Sequence, residues 1–418
     1  MPCRGSWAAR SASPRDNVLA HRNETRRAAA AWVCLGLVLT VLAPAGPDDG
    51  GPRRPTERRR PVTEIHFGVI EPPVVAQRDI TVRAPTSNQQ REEKPLECSG
   101  LAWMDGHLVV TSDRHGHILF TCPVDLKTAS IGRPRAHVVI PNEQELLDDA
   151  EAVVLRQPAG GPRVLYVLCS LSNDNRELPL PKRRHMLRLE LERVEPFGAA
   201  RRAVLDAGTV REALQGHFQA VGVRPYRTYH AAFPGPDKNT YRWGNVEGMA
   251  FTPDGSVLLC GMRNPLYGGR ALLLAVRGVE EAFAAGDPRR MKVTDLFALD
   301  LAGRGVSDLC WDPRTKGYLI AAAKSNGPKR DKDQPFPPNT LDSALFWWSG
   351  RKSEKPVLFA KAPDMKIEAI CRLGSSRFLA IGSDEGDVSE GREQRQTVVT
   401  LLEFPGVARG ARGSKHDR

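Results

Sequence analysis

The stretch Asn245-Val246-Glu247-Gly248-Met249-Ala250-Phe251 decides the fold, together with the turn Thr252-Pro253-Asp254-Gly255 and the apolar run Val257-Leu258-Leu259 that follow it. It combines an acidic start, a short apolar run, a turn and a second apolar run, and it reaches Arg263 sixteen residues after Glu247. Pro, Asp and Gly supply the backbone angles of a tight reversal. The stretch therefore predicts a β-hairpin.

The same pattern occurs five times in the 418 residues, each time running from a small or acidic residue to a polar one. The five spans are Ser99 to Asp113, Glu151 to Ser170, Glu247 to Arg263, Asp308 to Lys324 and Glu368 to Asp384. Their apolar runs are continuous, which is typical of strands buried on both faces. The starts lie 52, 96, 61 and 60 residues apart, and about 40 to 60 residues make one propeller blade.

These repeats predict an all-β fold, a β-propeller of five or six blades with a short helical insertion. The longest interval holds the insertion, in which Thr209 and Glu212 form a capping box, or else a sixth blade. Strands from residues 61–84 are expected to close the ring against the last repeat. Aromatic residues at one shared repeat position, Trp103, Phe251 and Trp311, are expected in the core between blades.

The formal charge of +11 is concentrated at the two ends of the chain. Residues 1–61 carry eleven Arg and five acidic residues, and residues 405–418 carry a net charge of +3, which leaves +2 for the repeats. This distribution argues against nucleic-acid binding. We predict a signal peptide or anchor at 1–45, a flexible leader at 46–61, the propeller at 62–404 and a basic disordered tail at 405–418.

The amino terminus predicts export to the periplasm or the medium. Arg22, Arg26 and Arg27 precede an apolar segment at 28–43, and Ala43-Pro44-Ala45 fits a signal-peptidase site. The segment is shorter than the roughly 20 residues of a comfortable membrane span. The alternative is an uncleaved anchor, which would be the chain's only membrane contact. The cysteines of the repeats are expected as free core thiols, with a Cys169–Cys260 bridge as the alternative.

Hairpin geometry predicts a functional site. In an antiparallel pair, the first residue of one strand lies beside the last residue of the next, so all five pairs should meet at one channel mouth. Carboxylates outnumber bases there and would raise one another's pKa unless a cation lay between them. Oxygen ligands favour calcium or another divalent cation. The predicted metal ligands are Glu97, Asp113, Glu151, Glu247, Asp308, Glu368 and Asp384; the residues predicted to hold a small anionic ligand are Arg263, Lys324, Ser99 and Ser170.

A structural role is the alternative for each of these residues. A carboxylate at a strand start can accept hydrogen bonds from backbone amides of the next blade, and Arg263 and Lys324 can simply pair with the acids. The basic run at 182–185 is expected as a solvated surface beside the mouth.

Several phrases in order resemble a bacterial propeller family, domain-of-unknown-function family 3616. They are Glu97-Cys98-Ser99-Gly100-Leu101-Ala102-Trp103, Asn245-Val246-Glu247-Gly248-Met249-Ala250, Met262-Arg263-Asn264-Pro265 and Asp300-Leu301-Ala302-Gly303-Arg304-Gly305-Val306-Ser307-Asp308. That family is similar to propellers named for the esterase-like activity of phytase. The resemblance implies a propeller in a periplasmic or secreted setting, with no established reaction. Asp308 departs from it, since the pattern has Glu there.

The sequence thus predicts an exported, monomeric propeller that binds a cation and a small anionic ligand at its channel mouth. Its enzymatic version would hydrolyse an ester or phosphoester. The alternative is a non-catalytic scaffold that binds a protein or glycan through loops such as 325–342. No nucleophile elbow of the Gly-x-Ser-x-Gly type occurs in the sequence, which argues against a serine hydrolase.

Overall fold

A computed structural model describes residues 74–83, 93–113, 115–140, 147–158, 160–172, 180–193, 197–209, 212, 245–267, 269–324, 342–363, 365–384 and 397–404. The predictions for 1–61, for 405–418 and for most of the loop 325–342 lie outside these residues. The six cysteines within them are free thiols, Cys169 and Cys260 included. In this part of the chain, no helix is long and apolar enough to cross a membrane.

The chain folds into five antiparallel sheets, the blades of a β-propeller. Blade 1 contains β3 (Cys98–Met104), β4 (His107–Ser112) and β5 (Ile118–Asp125), with β6 (Ser130–Ile131) and β7 (Arg135–Val138) both paired to β5. Blade 2 contains β8 (Ala150–Arg156), β9 (Arg163–Cys169), β10 (His185–Arg193) and β11 (Gly198–Asp206). Blade 3 contains β12 (Asn245–Phe251), β13 (Leu258–Tyr267), β14 (Arg270–Arg277) and β15 (Lys292–Leu299).

Blade 4 contains β16 (Arg304–Asp312), β17 (Gly317–Lys324), β18 (Ser343–Trp348) and β19 (Val357–Ala362). Blade 5 joins β20 (Ile367–Arg372), β21 (Phe378–Asp384) and β22 (Thr397–Glu403) to the amino-terminal strands β1 (Val74–Arg83) and β2 (Glu93–Pro95). Because β1 pairs with β22 from Val74 opposite Leu402 to Ile80 opposite Thr397, the two ends of the repeat region close the ring as predicted.

Helices are few in the described residues. The helix α1 (Val279–Ala285) and the 3-10 helix Pro288–Arg290 connect β14 to β15, and a second 3-10 helix, Pro181–Arg184, precedes β10. The sequence analysis did not anticipate α1. Of the predicted helical insertion, Gly208, Thr209 and Glu212 are described and helical.

The core is divided among the five blade interfaces. Each interface holds one hydrophobic cluster: for example, Tyr166 of blade 2 packs with Met249 of blade 3, and Leu309 of blade 4 packs with Leu259 of blade 3. Since the middle strands contribute side chains to the clusters on both of their faces, they read as continuous apolar runs in the sequence. Burial between blades therefore orders the ring.

Every inner strand carries a bulge near its start. The register shifts at one residue in each of the five strands: Ser99, Glu151, Glu247, Ser307 and Glu368. A bulge aims its extra side chain away from the regular ladder. We call these five the bulge residues. Their positions determine which side chains of the inner strands face the channel.

Candidate functional site

Four of the five bulge residues, those of blades 1, 2, 3 and 5, line a cavity of about 230 Å³ at one end of the channel, which we call the mouth. Two sequence positions of each inner strand supply most of its lining: the bulge residue and the residue two before it. Residues two apart point to the same side of a strand, so the two positions of each blade face the same way. The pairs are Glu97 and Ser99, Asp149 and Glu151, Asn245 and Glu247, Gly305 and Ser307, and Lys366 and Glu368. Of these ten residues, all but Gly305 and Ser307 line the mouth.

Blade 4 leaves a gap that Arg263 of blade 3 fills. A Cβ built at Gly305 would stand 2.1 Å from the carbonyl oxygen of Arg263, so only glycine allows this close approach. The Arg263 guanidinium donates through Nε to the carbonyl oxygen of Lys324 at 3.1 Å. Among the described residues, blade 4 therefore adds none to the lining of the mouth, and its Lys324 carbonyl oxygen serves to hold the Arg263 side chain.

One half of the mouth consists of ion pairs, and we call it the paired half: Glu247, Arg263, Lys366, Glu368 and Asp384. Arg263 Nη1 donates to both Glu247 Oε2 and Glu368 Oε2. Lys366 Nζ lies 2.9 Å from Glu368 Oε1 and 2.9 Å from Asp384 Oδ2. The Arg263 side chain is only 4% exposed, so these contacts are desolvated and directional.

The pKa values in the paired half follow from burial and these contacts. Burial raises the pKa of Glu247 to about 7, although Arg263 opposes the shift. Burial also works against ionisation of Glu368, but Arg263 and Lys366 together hold its pKa below the usual value. The guanidinium and the ammonium are thus already neutralised within the protein.

The other half is rich in carboxylates, and we call it the acidic half: Glu97, Asp113, Asp149 and Glu151. Asp149 accepts from the hydroxyls of Ser170 and Ser172, the latter at 3.1 Å, and pairs with Arg183 Nη1 at 3.1 Å. Among the described residues, Arg183 is the only base of the mouth that reaches this half, and its Nε is bonded to Asp148 at 2.9 Å.

Two carboxyl groups of the acidic half are poorly stabilised as anions. Burial and the neighbouring Glu97 carboxylate raise the pKa of Asp113 to about 8. Burial, followed by the charges of Asp149 and Glu247, raises the pKa of Glu151 well above its usual range. In the described part of the chain, the Glu151 carboxylate makes no hydrogen bond or ion pair. A proton or a cation would relieve this crowding.

The backbone is strained where the acidic half begins. Glu97 and Asp149 occupy equivalent places two residues before the bulge, and both have positive φ angles, 49° and 62°. Such angles are uncommon for residues other than glycine and persist only where the surroundings impose them. Blades 1 and 2 thus hold the two carboxylates in the mouth by a special backbone conformation.

The predicted metal ligands divide into those that line the mouth and one that does not. Glu97, Asp113, Glu151, Glu247, Glu368 and Asp384 line it, as predicted. Asp308 does not line the mouth, contrary to the expected ring: its oxygens accept the amides of Leu309 and Ile370, each at 2.7 Å, at the buried blade 4–blade 5 contact. The bulge residue of blade 4 is Ser307, and a shift of one residue turns a side chain to the other face.

The predicted ligand-holding residues need similar correction. Lys324 does not line the mouth, and its carbonyl oxygen accepts from Arg263 Nε. Arg263 lines the mouth but is bonded to carboxylates. Ser99 lines it while donating to the Ala150 carbonyl, and Ser170 lies behind the surface, bonded to Asp149 and Ser172.

The sequence analysis overlooked Asp149, Asn245, Lys366 and Arg183. The first three sit two residues before a bulge residue, and this two-residue spacing, which also relates Glu97 to Ser99, was a usable signal. Arg183 belongs to the basic run expected as a solvated surface, and that expectation was wrong for this residue, which reaches the mouth. Its position depends on the 3-10 turn before β10, which no spacing in the sequence predicts.

The acidic half offers hard oxygen donors, the type that calcium and magnesium prefer. Within the described residues, however, no three carboxylate, imidazole or thiol groups stand close enough together to form a ready metal site.

No family model and no curated protein matches this chain. Among solved structures, it is similar to the PQQ-bound aldose sugar dehydrogenase from Streptomyces coelicolor, with 13% identity, a TM-score of 0.36 and coverage of 79% of this chain and 100% of that chain. It is also similar to the WD40 repeats of RRP9, with 10% identity, a TM-score of 0.36 and coverage of 81% and 100%. A GH43 β-1,3-galactosidase has 10% identity, a TM-score of 0.37 and coverage of 75% and 92%. The sequence resemblance to family 3616 stays a prediction.

Proposed function

We propose that the mouth binds a divalent cation, calcium first among them, on its acidic half, and binds a small anionic ligand through that cation. The observation that carries the proposal is the grouping of Glu97, Asp113, Asp149 and Glu151 around one small cavity with a single base, Arg183, among the described residues beside them. Carboxylate oxygens in this excess are suited to a hard cation.

The raised pKa values support a cation in place of protons. Asp113, with a pKa of about 8, and Glu151 hold protons that a divalent ion can displace. Binding should therefore be weaker at low pH, where the proton competes for the same oxygens.

The anionic ligand depends on this cation because the bases of the mouth are already engaged. Arg263 and Lys366 are bonded to Glu247, Glu368 and Asp384, and Arg183 is bonded to Asp148 and Asp149. The cavity of about 230 Å³ is smaller than the roughly 300 Å³ at the lower end of typical ligand sites, which favours a small ligand.

If the mouth is catalytic, the proposed reaction is the hydrolysis of an ester or phosphoester. A bound divalent ion would polarise the phosphoryl or carbonyl oxygen and lower the pKa of a bound water. Whichever of Asp113 and Glu151 does not hold the ion, and so keeps its raised pKa, would then accept or return a proton.

The test is thermal unfolding with calcium and with a chelator. Calcium should raise the melting temperature of the wild type, because an ion that binds only the folded chain stabilises it by mass action. The double variant Asp113→Asn, Glu151→Gln should lose the shift. Glu281→Gln, an exposed position on α1, is the matched control and should keep it.

An unchanged melting curve in calcium, magnesium and manganese would contradict the proposal and favour the scaffold. A screen of ester and phosphoester substrates with and without chelator then separates binding from catalysis. Activity that survives chelation would contradict the metal-dependent hydrolase.

The proposal also places the propeller outside the cytoplasm. It is supported by the arginines and apolar residues before Ala43-Pro44-Ala45. Amino-terminal sequencing of the exported protein should begin at Gly46. A mature chain that keeps residues 1–45 would indicate the anchor.

A further inference from the structure

A second cavity, of about 540 Å³, opens at the opposite ends of the same inner strands. All five blades contribute to it through one position of each strand, four residues after the bulge residue: Trp103, Leu155, Phe251, Trp311 and Arg372. We call this cavity the aromatic chamber. It is independent of the mouth, and its volume falls within the roughly 300–1,000 Å³ that is typical of small-molecule sites.

The indoles of Trp103 and Trp311 are partly exposed in the chamber, whereas the sequence analysis expected them in the core. Each is held in place: Trp311 packs edge-to-face on Tyr318 at 5.1 Å between ring centroids, and Trp103 packs in the cluster between blades 5 and 1. A Cβ built at Gly374 would stand 3.1 Å from Nε1 of Trp103. A glycine at this position therefore leaves the indole N–H uncovered.

The indole N–H groups of the chamber are available as hydrogen-bond donors. Among the described residues, neither Trp103 Nε1 nor Trp311 Nε1 has a hydrogen-bond acceptor. The two described tryptophans outside the chamber do: Trp347 Nε1 donates to Thr315 Oγ1 at 2.9 Å, and Trp348 Nε1 donates to the Arg351 carbonyl at 3.1 Å. Since a packed indole usually finds an acceptor, the chamber is suited to a ligand that brings its own.

Arg156 adds a charged donor. Its Nε donates to the Gly255 carbonyl at 3.2 Å, its Nη1 lies 3.4 Å from Glu280, and its guanidinium stands 5.7 Å from the Phe251 ring centre. These contacts fix the group, and no described residue accepts a bond from its Nη2. The side chain is 20% exposed, so this nitrogen can be reached.

The other charged groups of the chamber are already satisfied. Asp254 accepts from Thr252 Oγ1 at 2.5 Å and from the amide and hydroxyl of Ser256. Arg372 makes four hydrogen bonds, two to the Asp312 carboxylate and two to carbonyl oxygens. What is left for a ligand is two indole N–H groups, one guanidinium nitrogen and aromatic faces.

We propose that the aromatic chamber binds a small planar aromatic carboxylate. The ring would lie against the indoles and Phe251, and the carboxylate would accept from Arg156 Nη2 and an indole N–H. Stacking on the aromatic side chains favours the binding of a flat ring. A charge-assisted hydrogen bond to a guanidinium gives an anion a higher affinity than a neutral analogue.

Titration of the whole protein with 2-naphthoate, followed by calorimetry and by the indole N–H signals in NMR, tests the proposal. Saturable binding is expected, with shifts of the Trp103 and Trp311 signals. Naphthalene-2-carboxamide should bind about tenfold more weakly, which is the loss expected for one charge-assisted hydrogen bond. Calcium, chelator and Glu151→Gln should leave naphthoate binding unchanged, so that a failure of the mouth proposal is distinguishable.

The variants separate the donors. Arg156→Gln should remove the preference for the acid over the amide, and Trp103→Phe with Trp311→Phe keeps the rings while deleting the N–H donors, so binding should weaken. Trp347→Phe, outside the chamber, is the control. Melting curves check that each variant is folded. The proposal would be overturned if naphthoate binding did not saturate or if the wild type bound the acid and the amide equally well. Preferential binding of a neutral sugar would overturn it too.

Discussion

At the scale of single residues, Ser307 and Asp308 decide what blade 4 contributes. Ser307 is the bulge residue and donates to the Ile367 carbonyl at 2.7 Å, as Ser99 of blade 1 does to the Ala150 carbonyl. Asp308, one residue later, accepts two backbone amides and holds blade 4 to blade 5. A carboxylate therefore lines the mouth in blades 1, 2, 3 and 5, whereas in blade 4 the Asp308 carboxylate is a structural tie.

We expect Asp308→Ala to lower the free energy of unfolding by roughly 2–4 kcal/mol, because two buried amides lose their acceptor. Ser307→Ala should cost only about 1 kcal/mol, the value of one ordinary hydrogen bond. Denaturant titration measures both. If Asp308→Ala left stability intact but abolished a calcium response, the metal-ligand role first predicted for Asp308 would return.

Arg263 holds two carboxylates in the paired half. Arg263→Met should destabilise the fold by about 3–5 kcal/mol near pH 8, since removal of one partner leaves buried charge uncompensated. The deficit should shrink towards pH 5, because Glu247 and Glu368 can then take up protons. Denaturant titrations at the two pH values test this, and a deficit that is independent of pH would contradict the account.

At the scale of elements, the sequence predicts hairpins and blades well because each repeat carries its own turn. Thr252-Pro253-Asp254-Gly255 lies between β12 and β13 as predicted, and the apolar runs are strands buried on both faces. What the sequence does not predict is the pairing register of the strands. The bulge at Ser307 depends on pairing with β17, which a spacing counted from Asp308 cannot detect.

Long-range placement is the other limit of the sequence. Asp149 and Lys366 could have been found from their two-residue spacing to Glu151 and Glu368. Arg183 could not, since it reaches the mouth from the 3-10 turn before β10. Residues of the mouth were thus predictable where they occupy equivalent positions in several blades. They were not predictable where one blade differs from the others.

Ring closure by β1 gives an element-scale prediction. A chain that begins at Thr63 keeps β1, whereas a chain that begins at Pro85 leaves the edge of β22 without its partner. We expect the shorter chain to melt at a lower temperature and to aggregate, because an open strand edge recruits other chains. Scanning calorimetry and light scattering compare the two, and equal behaviour would contradict closure by β1.

At the scale of the whole molecule, the two ends of the channel are lined by different kinds of side chain. The mouth is lined mainly by carboxylates, and the chamber at the other end is lined by aromatic rings and open donors. The chamber lies at the ends of all five inner strands, and the mouth lies at the starts of the inner strands of blades 1, 2, 3 and 5.

Stability should depend on pH through the acidic half. The pKa of Asp113 rises from 3.8 to about 8 on folding, so the folded chain binds more protons than the unfolded chain between these values. This group's stabilising contribution is complete below about pH 4 and is lost as the pH rises to about 8. Asp113→Asn should flatten that decline in denaturant titrations; an unchanged slope would contradict the shift.

The central claim is that the acidic half holds a divalent ion, and an anomalous difference map from crystals grown with manganese tests it most directly. The account predicts a peak in the mouth within bonding distance of carboxylate oxygens of Glu97, Asp113 or Glu151, absent in the Asp113→Asn, Glu151→Gln variant. A map without a peak in the mouth, or with one only at surface carboxylates, would contradict it.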